Sequence, residues 1–196
     1  MILTINEKKV LRLLAANQEQ KYSINQIAKY CSLSPNGSYK ILKKLSKERI
    51  LKCTAIANIK AYSLDFGSEK TLRILELSLM PEELEGKIKL RADDLLPLKE
   101  FTQCCILFGS YITSKKKPND LDVLFIVEKE NYLKFKQLLE KIKDIIPIKV
   151  HEVVQTRDDF IQNLQKNDPI ITASLQKGII LWGYETIAGV IKNAAR

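Results

Sequence analysis

The 196-residue chain has a single histidine and four cysteines, and no apolar run approaches the ~20 residues that a membrane-spanning helix needs. Each shortage excludes something. His151 is the only histidine, and no Ser-His-Asp or Cys-His machinery can be assembled elsewhere. Cys31, Cys53, Cys104 and Cys105 lack the Cys-x-x-Cys spacing of zinc or redox sites, and the adjacent Cys104-Cys105 opens an apolar run where thiols pack inertly. The polar, lysine-bearing start has no signal-peptide apolar core, so the expectation is a cytoplasmic protein with no membrane partner. Acidic residues are scarce in one place. Residues 1–66 carry 12 Lys/Arg against 4 Asp/Glu, a net +8, whereas residues 67–196 carry 20 against 19, a net +1. Nearly all of the +9 excess lies in the first third, the electrostatic footprint of a nucleic-acid-binding unit joined to a near-neutral one.

That first third has ordered punctuation. Thr4-Ile5-Asn6-Glu7 and Ser23-Ile24-Asn25-Gln26 are capping-box patterns, each before apolar residues at helical spacing. Ser34-Pro35 supplies an N-cap and a first-turn proline for a third helix running to about Glu48, with Ile41, Leu42 and Leu45 inward. Two strand-like runs, Ile50–Ile56 and Ile59–Leu64, meet near Ala57-Asn58. Helix, helix, turn, helix, hairpin is the winged helix-turn-helix order, and residues 1–66 resemble winged-helix transcriptional regulators of archaea and bacteria. In that resemblance the helix from Pro35 reads double-stranded DNA. Asn36, Ser38 and Tyr39 then make polar contacts, Lys40, Lys43, Lys44 and Lys47 meet phosphates, and Lys52 and Lys60 lie on or near the wing. The alternative reading of the same residues is a solvated basic face or a protein-contacting surface.

Residues 67–93 read as a helical connector. Ser68–Leu79 is leucine-bearing and Pro81-Glu82-Glu83 starts a second helical stretch. Its leucines either pack on the second unit or make a homodimer. Ala92–Phe101 reads as a helix leading into the first strand of a unit spanning residues 94–196.

Within that unit, Cys104–Phe108 is an apolar strand that ends in Gly109-Ser110, and Asp120-Leu121-Asp122 opens a second apolar strand. Alternation puts Asp120 and Asp122 on one face, where two carboxylates repel unless a cation lies between them. Oxygen donors of this kind suit Mg²⁺, completed by nucleotide phosphates. The Gly109-Ser110 turn offers N–H groups and a hydroxyl near those phosphates. Capping of a turn after Pro118-Asn119 explains Asp120 without a metal, but does not explain Asp122 on the same face.

Phe108, Gly109, Ser110, the spacer, Asp120 and Asp122 resemble the polymerase-beta-like nucleotidyltransferases, in particular the minimal nucleotidyltransferases, over roughly residues 94–184. The resemblance implies an α+β protein: a winged helix-turn-helix followed by a small mixed-sheet unit. It also implies a third carboxylate on a neighbouring strand, for which Glu152 is the candidate. A helix over about Asn131–Asp144 would come before that strand, and His151 would be turned away from the site. Asp120, Asp122 and Glu152 would hold Mg²⁺, while Gly109 and Ser110 grip a nucleoside triphosphate. A nucleotidyl group would pass to an acceptor by in-line attack at the α-phosphate. The family often places an Arg soon after Gly-Ser. Here Tyr111-Ile112-Thr113-Ser114 has none, and Lys115, Lys116 and Lys117 stand as substitutes. A regulator with a non-catalytic nucleotidyltransferase-like unit is therefore the alternative. Many relatives of this kind are antitoxins, which would make a HEPN-type toxin the partner.

Downstream, Thr156–Lys166 reads as a helix that Asp158 and Asp159 cap, and Asp168-Pro169 starts another that ends at Gly178. Ile179–Gly183 reads as a short strand. Trp182 is read as packing in preference to base stacking.

Overall fold

The computed structural model describes residues 2–56, 59–113 and 120–195. The fold is α+β. Helices α1 (Ile5–Ala16), α2 (Ile24–Cys31) and α3 (Pro35–Lys47) precede an antiparallel hairpin of β1 (Leu51–Ile56) and β2 (Ile59–Leu64). The turn expected at Ala57-Asn58 lies outside the described residues. Both capping boxes form: Thr4 exchanges hydrogen bonds with Glu7, and Ser23 with Gln26. The Ser34 hydroxyl accepts from Gly37 N–H, and Pro35 occupies the first turn of α3, where its missing N–H costs nothing.

The connector differs from the expectation at its second helix. Helix α4 (Glu69–Leu79) follows Ser68, but α5 begins only at Gly86 and runs to Leu95. Met80 is extended (φ −66°, ψ 132°), as a residue before proline favours, and no helix starts at Pro81. Lys8 of α1 holds Glu82 there at 2.6 Å. The helix expected over Ala92–Phe101 is divided. It changes at Leu96 into a 3-10 helix (Leu96–Phe101) with Pro97 in its first turn.

The second sheet has the order β5-β4-β3-β6. Strand β3 (Cys104–Phe108) is followed by a short α6 (Ser110–Thr113) and then β4 (Asp120–Ile126). Helix α7 (Tyr132–Ile145) crosses over to β5 (Lys149–Gln155), which pairs parallel with β4, while β3 pairs antiparallel with both β4 and β6 (Ile179–Trp182). Between β5 and β6 lie α8 (Arg157–Gln165) and α9 (Pro169–Lys177); α10 (Tyr184–Ala194) ends the chain. Alternation along the strands splits the sheet into two faces. Cys105, Leu107, Val123 and Phe125 pack with Phe135, Leu139 and Ile142 of α7. Cys104, Ile106, Leu124 and Ile126 share a core with α8, α9 and α10, and that core continues through Leu75 and Leu79 of α4 into Val10, Leu11 and Leu14 of α1. Of the connector leucines, Leu75 and Leu79 are thus buried within the chain and Leu72 is partly covered, while Leu77 is exposed. Among the described residues, no helix is long and apolar enough to cross a membrane.

Candidate functional site

Strand β3 ends at Phe108, which lies directly opposite Asp122 in the antiparallel register. The chain then turns at Gly109 with φ +73°, a left-handed conformation that side chains other than glycine adopt at a cost. A Cβ there would lie 2.0 Å from Asp122 Oδ2. The Asp122 carboxylate therefore rests directly on the glycine backbone, which explains the Gly-Asp combination better than turn geometry alone. Ser110 is exposed at the start of α6, and Thr113 Oγ1 donates to the Gly109 carbonyl at 3.1 Å. Asp120 and Asp122 are both partly buried and share a face of β4. Lys115, Lys116 and Lys117, named as substitutes for the family's arginine, lie outside the described residues.

The third carboxylate is not with this pair. Parallel pairing sets Asp122 beside His151 and Val123 beside Glu152. Paired residues on adjacent strands share a face, so His151 joins Asp122, with Nδ1 at 3.6 Å from Oδ1. Lys149 is the register partner of Asp120 on the same face. Glu152 projects from the opposite face toward α7, where Lys136 and Lys143 hold Oε1 at 2.8 and 2.9 Å. Burial alone would raise its carboxyl, but hydrogen bonds from the two lysines outweigh that and bring it down to about 2. Both face assignments of the sequence reading are therefore corrected: Glu152 is a structural ion-pair residue, and His151 is the neighbour of the Asp pair.

Two carboxylates on one face beside a glycine turn are a donor set that fits one Mg²⁺, whose other positions belong to water and phosphate. Among the described residues, no group of three or more His, Cys, Asp or Glu is arranged to hold a metal. Asp159 completes a capping box with Thr156, and Asp168 caps α9 by accepting from Ile170 and Ile171 N–H. Trp182 is buried, with Nε1 donating to Thr102 Oγ1 at 3.0 Å, so its ring packs in the core. Cys104 and Cys105 are buried, and burial pushes their thiols far up. All four cysteines are free.

The basic N-terminal surface lies mainly on α3. Asn36, Tyr39, Lys40, Lys43 and Lys47 are exposed, and Lys43 Nζ sits 5.9 Å from the Tyr39 ring centroid. Ser38 is the exception. It is fully buried beside Leu42 and Leu45, so it cannot make the outward contact expected of it, and Ile41 is only partly covered. The buried stripe is turned toward position 38, one helical turn before Leu42 and on the same side. Lys44 is exposed, but its ammonium is 2.7 Å from Glu7, a buried carboxylate of α1. The hairpin lysines also separate. Lys60 shares a face with Tyr62 and Leu64, while Lys52 pairs with Ser63 on the other face and lines a cleft beside α10.

Residues 94–180 match a family of unknown function, DUF6932. None of the curated proteins matches. Among solved structures, a Lactococcus lactis ZitR mutant is 17% identical over 74% of this chain and 76% of its own, with a TM-score of 0.34. The same mutant in its apo form is 18% identical over 72% and 82%, with a TM-score of 0.32. Superpositions at that level carry no argument about this chain.

Proposed function

We propose that this protein is a double-stranded-DNA-binding regulator in which a winged helix-turn-helix, residues 1–66, is joined to a nucleotidyltransferase-like unit. One observation carries the reading. The outward face of α3 presents Asn36 and Tyr39 near its N-terminus and Lys40, Lys43 and Lys47 along its length, with only Lys44 held by a carboxylate of α1. The first two would reach base edges in the major groove, and the lysines would meet the flanking phosphates. Fluorescence anisotropy on mixed-sequence duplexes across a salt series tests it. Lys40→Ala and Lys43→Ala should each weaken binding to every duplex and reduce the salt slope by about 1. Binding indifferent to salt, or slopes unchanged by both substitutions, would refute it.

The seating of Asp122 on Gly109 supports a second activity for the same chain: binding a Mg²⁺ nucleotide at the open end of β3 and β4. Asp120 and Asp122 would hold the ion, and Gly109 N–H and Ser110 would face the phosphates. Bound Mg²⁺ would neutralise phosphate charge there. With Glu152 committed to α7, the arrangement supports nucleotide binding ahead of nucleotidyl transfer. A Mg²⁺-dependent rise in melting temperature with ATP, lost in Asp120→Asn/Asp122→Asn, is the expected result; no rise with any triphosphate would remove this second reading and leave the first standing.

A further inference from the structure

A cleft of about 490 Å³ opens where the β1–β2 hairpin, the α1–α2 loop and the carboxyl end of α10 meet. That volume is within the range of about 300–1,000 Å³ usual for small-molecule sites. Among the described residues, three lysines from separate elements line it, Lys21 from the loop, Lys52 from β1 and Lys192 from α10, against one acidic residue, Glu19. Phe66, half-buried, supplies an apolar side, with Leu14 and Leu64 buried behind it. Gln18 lines the same space. Its Nε2 donates to Ile191 O at 2.7 Å, which fixes the amide's orientation, and its Oε1 is buried without a hydrogen-bond partner.

We infer that this cleft binds a small organic anion that joins a compact charged group to a flat apolar body, of the nucleoside monophosphate class. The lysines receive the phosphate, and Phe66 meets the ring. A ligand there touches both the hairpin and α10, and it occupies Lys52, the hairpin lysine on the face away from Lys60. The site shares no residue with the Asp120/Asp122 centre, so the two fail separately.

The test is thermal shift and calorimetric titration of the full chain with adenosine monophosphate, in EDTA and at constant ionic strength. A ligand excess of about tenfold over Kd should raise Tm by about 3–6 °C. The rise should persist in Asp120→Asn/Asp122→Asn and disappear in Lys192→Glu. Lys21→Glu, in an exposed loop, should reduce it in a protein whose circular dichroism is unchanged, which guards against a folding defect in the first variant. An equal rise with inorganic phosphate would overturn the flat-body assignment. No rise with adenosine monophosphate, or a rise that survives both lysine substitutions, would overturn the site.

Discussion

At the scale of single residues, Glu152 shows how far the sequence can be read. Its residue type, its strand and the helix before it were all legible. Its face was not, because side chains alternate along a strand and a one-residue change of register exchanges the two faces. Only the pairing of β4 with β5 fixes that register, and it sets His151 beside Asp122. The lysines at 136 and 143 were a signal that could have been used. They lie seven apart on α7, on one side of the helix, and both reach the same carboxylate. Glu152→Gln should therefore act on stability. The folded-state carboxyl, at about 2, lies below its ordinary 4.5, so the contribution is complete above pH 4.5 and is lost as pH falls through 2. Urea unfolding should show a deficit of roughly 1–2 kcal/mol at pH 7, discounted for partial exposure, that closes near the folded-state value. A deficit constant across that range would show that the ion pair is not its source. Nucleotide binding should be unaffected.

Among the elements, helix starts were the most legible feature, because a cap is a local hydrogen bond between residues three apart. Thr4, Ser23, Ser34 and Asp168 cap their helices as expected, while the cap expected of Asp158 and Asp159 is a Thr156–Asp159 capping box without Asp158. Two features were not legible for physical reasons. Pro81-Glu82-Glu83 has the composition of a first turn, yet Glu82 is drawn to Lys8, a partner far away in the sequence. Helix α10 went unread because its start has no side-chain cap; Gly183 enters it with φ +85°. Its buried Ile187, Ala188, Val190 and Ile191 do follow helical spacing, and that was the available clue. Glu7 links two elements at once. Burial raises its carboxyl, but the Lys44 and Thr4 hydrogen bonds hold it below the usual carboxylate range. Glu7→Gln keeps a residue able to complete the capping box and removes only the charge, so it should cost about 0.5–1 kcal/mol. Glu7→Ala should cost about 1 kcal/mol more. Chemical unfolding of the pair checks the order. The same Glu7→Gln substitution frees Lys44 on the outward side of α3, and DNA affinity at low salt should rise. A fall in affinity would mean that Glu7 orients α3 and that its hold on Lys44 does not limit binding.

At the scale of the whole molecule, the basic and near-neutral parts of the chain are not beads on a linker. Charge distribution separates them, but one apolar core runs from Val10 in α1 through Leu75 in α4 to Ile191 in α10. Composition cannot reveal such a junction, since a leucine that faces a neighbouring unit has the same pattern as one that faces its own. Arg12 is the polar member of this junction. It leaves α1 to donate to the carbonyls of Leu175, at 2.8 Å, and Gly178 near the carboxyl end of α9, where a cation also meets the negative end of the helix dipole. Burial pushes its guanidinium down to about 10, so it stays charged at neutral pH. Removing it leaves two carbonyls without their donor and a space between the units. Charge-assisted hydrogen bonds of this kind contribute about 1.5–3 kcal/mol each when their partners would otherwise be unpaired. Arg12→Ala should accordingly lower Tm by roughly 6–20 °C. Scanning calorimetry of the unaltered chain should give one transition with equal calorimetric and van't Hoff enthalpies, because neither part can expose the shared core without the other. In Arg12→Ala the transition should broaden or divide, with the part containing α1–α3 melting first. Two resolved transitions in the unaltered chain would show that the shared core does not couple the units.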